Sequence, residues 1–363
     1  MKVLVLGGTG AIGMHLIKLL SNSVFDVTVT SRNEYLSTEN VKYLQGDAHD
    51  INFLTETLNI NWDVIVDFML YTTTSFAERL ELLLNATSQY ILISSSRVYA
   101  ATDGLISEKS SRLLDISGDN EYLNTDEYAL SKARQEDLLK QTNKKNWTII
   151  RPYITYSENR LQLGVLEKEE WLYRAIKGRT IIFSKEILSK KTTLTYGNDV
   201  SKGILSVLGK SAAFGETFHI TNSKSNTWFD ILEIYLNVLE NNLGFKPKVL
   251  LLDKIAFLKC KPAKYQIEYD RLYNREFNTS KISEYIDTSE FVKVEDGLKK
   301  CLEQFLKQPC FNKIDWNTET IKDKYSKEST PYFEFENNRQ YKKYLINRYL
   351  QFLKNIKNKL YGN

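Results

Sequence analysis

Tyr128-Ala-Leu-Ser-Lys132 places a phenol and an ammonium four residues apart in a stretch, Glu127 to Gln141, whose pattern predicts a helix capped by Thr125 and Asp126. Residues four apart share one helix face. A phenol of ordinary pKa near 10 moves protons poorly at neutral pH. A neighbouring ammonium favours phenolate, so Tyr128 is a candidate acid/base with Lys132 as its partner. With 22 tyrosines and abundant lysine such a pair can also arise by chance. A second chemical feature adds weight: Ile91-Leu-Ile-Ser-Ser-Ser-Arg-Val-Tyr99 reads as a strand ending in three hydroxyls. In open α/β folds ligands bind outside the carboxyl ends of the strands.

The elements that must position these residues begin at the first residues of the chain. Lys2 to Leu6 is a buried apolar run leading into Gly7, Gly10 and Gly13 and then into the helical pattern Met14 to Leu20. That order of strand, glycines and helix is a dinucleotide cradle. Gly7 permits a tight turn, Gly10 a close approach of backbone to a pyrophosphate, and Gly13 close packing of helix on strand. Further short runs, Val27 to Thr30, Val41 to Leu44, Val64 to Phe68, Tyr90 to Ser94 and Thr148 to Arg151, mostly alternate with helical segments. The expected fold class is therefore α/β, a Rossmann-type doubly wound parallel sheet.

The spacing Gly7-x-x-Gly10-x-x-Gly13 resembles that of the short-chain dehydrogenase/reductases. The serine strand with Val98-Tyr99, Arg151-Pro152, Thr193 to Val200 with its Asn-Asp-Val, and Gly215-Glu-Thr-Phe-His-Ile220 resemble the extended branch, the NAD-dependent epimerase/dehydratase family, over residues 1 to 305. The resemblance implies that Tyr128 is the acid/base, that Lys132 holds the nicotinamide ribose and that Ser95 orients the reacting oxygen. It implies a dinucleotide on Gly7, Thr9, Gly10, Ala11, Ile12 and Gly13. NAD-specific relatives carry an aspartate at the end of the second strand, where this chain has Ser31 and then Arg32. This favours NADP(H), with NAD(H) as the alternative. Asp47 matches a residue that contacts adenine, or serves as a turn former.

Dehydratases of this family follow the catalytic threonine with Asp-Glu, whereas Ser96-Arg97 stands here, so dehydration is not expected. A keto-sugar reductase or an epimerase, acting on a nucleotide-activated sugar, is what the resemblance implies. Asp67-Phe-Met-Leu-Tyr71 departs from the His-Leu-Ala-Ala usual after the fourth strand. Residues 1–155 plus about 190–220 would form the dinucleotide domain, and about 156–189 and 221–305 a smaller lobe, with the substrate between them. Ser95, Ser96, Arg275 and Lys281 are the candidate substrate contacts, the last two toward a diphosphate. The second reading is a catalytically degenerate member of the fold that binds a dinucleotide or RNA.

Composition bounds these readings. The chain has 363 residues, 42% hydrophobic, with a formal charge of +4 on many opposed charges, which gives no case for nucleic acid as a partner. Cys260, Cys301 and Cys310 and the histidines at 15, 49 and 219 lack metal-ligand spacing, so no metal is expected. No apolar run is long enough to span a bilayer and no leader pattern is evident, so a cytoplasmic protein is expected, and a homodimer is the expected assembly. Residues 306–363 lie outside the resemblance. There Asn337 to Asn363 is basic without acidic residues, and Tyr341, Tyr344, Leu345, Tyr349, Phe352, Ile356 and Leu360 recur at helical spacing, the pattern of a basic amphipathic helix.

Overall fold

A computed structural model describes residues 1–349; the apolar positions Phe352, Ile356 and Leu360 of the expected basic helix lie outside the described residues. The chain divides into two compact units. The first comprises residues 1–160, 191–226 and 273–298, and the second 161–190, 227–272 and 299–363. The return of 273–298 to the first unit differs from the expected boundaries. It places Arg275 and Lys281 with the sheet-bearing unit.

In the first unit β1 (Lys2–Leu6), β2 (Asp26–Ser31), β3 (Val41–Gln45), β4 (Trp62–Asp67), β5 (Thr87–Ile93) and β6 (Trp147–Pro152) join the strand Glu216–Ile220. All pair in parallel, in the spatial order Glu216–Ile220, β6, β5, β4, β1, β2, β3. Both faces are covered, which is why the strands read as continuous apolar runs. Val3, Val5, Val27, Val29, Val64 and Val66 face one core with Leu16, Leu20 and Ile204. Leu4, Leu6, Ile65 and Leu92 face the other with Leu54, Phe76 and Leu83.

The crossover after β1 is α1 (Gly13–Ser21). Gly7 adopts φ +70°, the left-handed conformation that favours glycine. A Cβ on Gly13 would lie 2.4 Å from the Gly8 carbonyl oxygen, so strand end and helix meet backbone to backbone. The helix Gly197–Val207 braces this corner: Ser201 donates to the Ile12 carbonyl at 2.8 Å, and a Cβ on Gly197 would meet the Ala11 carbonyl. Its Asp199 accepts from the Val292 amide at 2.8 Å. The helix that carries the Asn-Asp-Val motif thus supports the glycine turn through Gly197 and Ser201, and its Asp199 ties it to residue 292.

The second unit carries a parallel strand pair, Ile181–Ser184 with Val249–Leu252, among helices. Helix Trp228–Leu243 opens with a reciprocal Thr227/Asp230 cap and closes at Gly244 with φ +78°. Trp171 packs on Tyr235 with ring centroids 4.6 Å apart. Buried Arg174, on helix Lys168–Ile176, reaches Glu319 and Asp323 at 2.8 Å each and Glu328 at 3.1 Å. Arg179 pairs with Glu334 at 2.9 Å. Helix Asn338–Tyr349 is held by buried Tyr344, which donates to Asp323 at 2.7 Å. Among the described residues, the stretch from 306 onward that lies outside the resemblance is therefore packed into the second unit.

Candidate active site

The three hydroxyls after β5 have three different fates. Ser94 donates to Glu136 at 2.6 Å and Ser96 to the Arg151 carbonyl at 2.8 Å, both fully within the protein. Ser96, expected among the substrate contacts, is thus committed to tying β5 to β6. Ser95 is extended, accepts the Arg97 amide at 3.2 Å and lies near enough to the Tyr128 phenol to favour its ionised form. The strand end therefore offers one of its three hydroxyls to the acid/base candidate.

Tyr128 opens the helix Tyr128–Gln141, and the cap differs from the expected one. Asp126 is drawn away by the Thr73 amide and hydroxyl at 2.9 and 2.6 Å, so Glu127 caps the helix by accepting from Ala129 at 2.8 Å. Tyr128 keeps 38% of its surface exposed. Burial among surrounding atoms raises its pKa above the ordinary phenol value, against Ser95 and the charges of Arg97 and Arg160. The phenol is protonated at neutral pH.

Lys132, one turn on, is buried and donates to the Met69 carbonyl at 3.4 Å. Burial pulls its pKa down to about 8, opposed by the charges of Asp67 and Glu136. Its charge is thus engaged by these carboxylates, rather than lowering the Tyr128 pKa as its spacing suggested. Asp67 is itself raised by burial, while the Met69 amide at 2.8 Å and the Tyr90 hydroxyl at 2.7 Å stabilise its charge. The unusual segment Asp67 to Tyr71 therefore supplies a carboxylate and a carbonyl to the lysine.

Glu136 was not singled out by the sequence reading, although it follows Lys132 by one turn on the same face. Burial pushes its pKa up, but the hydrogen bond and charge of Arg151 outweigh this and hold it below the ordinary carboxylate value. Arg151 Nε donates to it at 2.8 Å. With Ser94, this buried pair keys the helix to β5 and β6, fixing Tyr128 relative to Ser95.

A pocket of about 240 Å³ lies beyond the ends of β1 to β4 and includes Gly7, Thr9, Ser31, Arg32, Asp47 and Phe68 in its lining. A Cβ on Gly10 would meet nothing within 4 Å, and Ile12, at the N-cap of α1, gives no side-chain cap. An uncapped helix N-terminus beside an open glycine suits a pyrophosphate, and the half-buried Ala11 and Ile12 with buried Gly13 form that terminus. Ser31 accepts the Asn33 amide at 3.1 Å, and Arg32 is exposed. Asp47 accepts the His49 amide at 3.0 Å, the turn-former role, while still lining the pocket. Arg275 and Lys281 are engaged elsewhere in the unit. Arg275 is fully buried and donates to the Tyr99 and Ala100 carbonyls at 3.2 and 3.1 Å; Lys281 pairs with Glu216 at 2.6 Å. Among the described residues no cluster of three or more His, Cys, Asp or Glu could hold a metal, and no helix is long and apolar enough to cross a membrane.

A glycine corner under one sheet end and a Ser/Tyr/Lys arrangement at the neighbouring strand ends define the class of extended short-chain dehydrogenase/reductases. Within it, the chain belongs to the RmlD substrate binding domain family, which residues 1–249 match. The chloroplast stem-loop binding protein of 41 kDa b from Arabidopsis thaliana is 28% identical over 247 residues, 62% of this chain and 60% of that protein. Among solved structures, UDP-glucuronic acid 4-epimerase from Bacillus cereus, in complex with UDP-glucuronic acid and NAD, has a TM-score of 0.63 at 19% identity, covering 85% of this chain and 99% of that one. The dTDP-glucose 4,6-dehydratase of Bacillus anthracis, in complex with NAD, gives 0.64 at 16% identity, covering 85% and 97%.

Proposed function

We propose that this protein is an NADP(H)-dependent oxidoreductase acting on a nucleotide-activated sugar, as a keto-sugar reductase or an epimerase. The observation that carries the reading is Tyr128 at the start of its helix beside the β5 strand end that bears Ser95, with Lys132 one turn on, in the same unit as a glycine-cornered pocket. A bound nicotinamide would supply or accept the hydride. Gly7, Thr9, Gly10 and the start of α1 would hold its pyrophosphate, Ser31 and Arg32 the 2′-phosphate, and Lys132 the nicotinamide ribose. Ser95 would fix the substrate oxygen within reach of the Tyr128 hydroxyl. A phenol protonated at neutral pH is ready to donate, which favours the reductive direction. Ser96 is committed to the Arg151 carbonyl and Arg97 to Glu127, so the positions that serve water elimination in dehydratases offer no free acid or base.

The test is a titration with NADP(H) and NAD(H) by thermal shift and nicotinamide fluorescence, followed by NADPH oxidation on nucleotide keto-sugars. Tighter binding of NADP(H), weakened about tenfold by Arg32→Ala, is expected. Tyr128→Phe should keep cofactor binding and lose roughly 10²- to 10⁴-fold in turnover. Binding of neither cofactor would end this reading. The second reading, RNA binding, draws on the name of the Arabidopsis relative and on Arg339, Lys342 and Lys343 along helix Asn338–Tyr349. Salt-sensitive hairpin binding lost on replacing these three by alanine would support it.

A further inference from the structure

Gly7 opens the glycine corner, yet the space in front of it is taken. A Cβ on Gly7 would lie 2.7 Å from Sδ of Met69, so the Met69 thioether rests against the bare Cα of the first glycine. Met69 is half-buried and lines the pocket of about 240 Å³ together with Phe68 and Leu70.

The backbone of this segment is held from both sides. Asp67 accepts the Met69 amide at 2.8 Å, and Lys132 donates to the Met69 carbonyl at 3.4 Å. Two residues on, the Tyr71 carbonyl takes the Ser131 hydroxyl at 3.1 Å and the Gln135 side-chain amide at 2.8 Å. Main-chain atoms thus tie residues 67–71 to the acid/base helix, and the Met69 side chain is what remains free to move. Methionine is unbranched with three rotatable bonds, so it changes rotamer at low cost.

The pocket is small for a whole dinucleotide. Sites for drug-sized ligands measure about 300–1,000 Å³, and a dinucleotide is larger than most such ligands. The lining includes Arg32, Asp47, Met69 and Leu70 but none of Ser95, Tyr128 and Lys132. Lys132 is nevertheless bonded to the backbone of the residue whose side chain closes that wall. A ligand that reaches from Arg32 to Lys132 has to pass Met69.

We propose that Met69 is a specificity-determining residue of the dinucleotide site: with its thioether on Gly7 the pocket admits the adenosine half alone, and a whole dinucleotide binds only when that side chain swings aside. This rests on the dinucleotide reading above and adds the step that tells the two halves of the cofactor apart. Dinucleotide affinity is then reduced by the fraction of molecules in which Met69 is already turned away, while the adenosine half escapes that loss. The rival role for Met69 is simple packing of the β4 end against the glycine corner.

The test titrates the full chain with adenosine 2′,5′-bisphosphate and NADP⁺ by isothermal calorimetry, with ADP and NAD⁺ beside them. Met69→Ala should tighten NADP⁺ roughly three- to tenfold and leave the bisphosphate within about twofold, the scale of freeing one side chain from its rotamer well. The chain has three methionines, so methyl-labelled protein gives three methyl signals in nuclear magnetic resonance. The signal lost in Met69→Leu, a swap that nearly conserves volume, identifies Met69. In the wild type that signal should move on adding NADP⁺ and hold its place with the bisphosphate, which keeps the idea testable if Met69→Ala misfolds. An affinity gain equal for the two ligands, no gain for NADP⁺, or a Met69 methyl that responds alike to both would overturn the inference and leave the dinucleotide reading standing. Binding of none of the four nucleotides would overturn both.

Discussion

Two buried arginines, one in each unit, solve the same electrostatic problem for different ends. Arg151 meets Glu136 across 15 residues of chain, and the pair lies beneath the acid/base helix with Ser94. Arg174 meets Glu319, Asp323 and Glu328 across about 150 residues and binds the C-terminal helices into the second unit. A buried ion pair is a weak source of net stability, but losing one partner is expensive because the other charge is left in a poor solvent. In the first unit that sensitivity serves the geometry of a site. In the second it serves the attachment of a segment.

The comparison predicts two mutants with similar stability losses and different activity losses. Arg174→Met strands Glu319 and Asp323, and should lower the unfolding free energy by about 3–5 kcal/mol. Glu136→Gln leaves the Arg151 charge uncompensated and should cost a comparable amount. Below the unfolding range, Arg174→Met should retain dinucleotide affinity and turnover, while Glu136→Gln should lose turnover because Ser95 and Tyr128 are no longer held in register. Urea unfolding beside steady-state kinetics separates them. Equal kinetic damage from both would remove the distinction between the two arginines.

The same contrast explains what could be read from residue types alone. The first unit is built from local signals: an apolar strand, glycines at 7, 10 and 13, and a helix that follows at once. All six expected strands of the sheet's first half and middle are present, with ends moved by at most three residues. Tyr128 and Lys132 could be singled out because their spacing follows helix periodicity, and Ser95 because the strand end before Val98-Tyr99 resembles the family pattern. Glu136, Arg97 and Asp67 were not, since their roles depend on what the folded chain places opposite them. Ser96, Arg275 and Lys281 show the converse: polar residue types suggested substrate contact, but backbone carbonyls and Glu216 claim them. In the second unit Arg174 and its carboxylates sit too far apart in sequence for any local pattern to pair them.

A smaller effect isolates the acid/base helix from its surroundings. Lys132 titrates near pH 8 in the fold and near 10.4 unfolded, so the fold penalises its charged form. Below pH 8 the penalty is fully present; as pH rises from 8 to about 10.4 the folded state sheds the proton first and stability rises. The whole window amounts to about 3 kcal/mol. Wild type should gain stability relative to Lys132→Met as pH rises from 7 toward 10. Parallel pH profiles for the two proteins would refute the assignment.

The smallest stability effect gives the sharpest view of the cradle, because exposed Gly10 and buried Gly13 differ in what a methyl group would meet. At Gly13 the methyl would collide with the Gly8 backbone, which cannot move aside without separating β1 from α1. Gly13→Ala should therefore destabilise the apoprotein by roughly 1–3 kcal/mol, in the range of overpacked sites. At Gly10 the methyl enters open space, so Gly10→Ala should leave apoprotein stability within about 0.5 kcal/mol. The same methyl would stand where a pyrophosphate must approach the backbone, so dinucleotide affinity should fall. Thermal unfolding of both variants with and without NADP(H) reads the two effects separately. A Gly10→Ala protein that binds the cofactor as tightly as wild type would show that the open space over this glycine is not the pyrophosphate site.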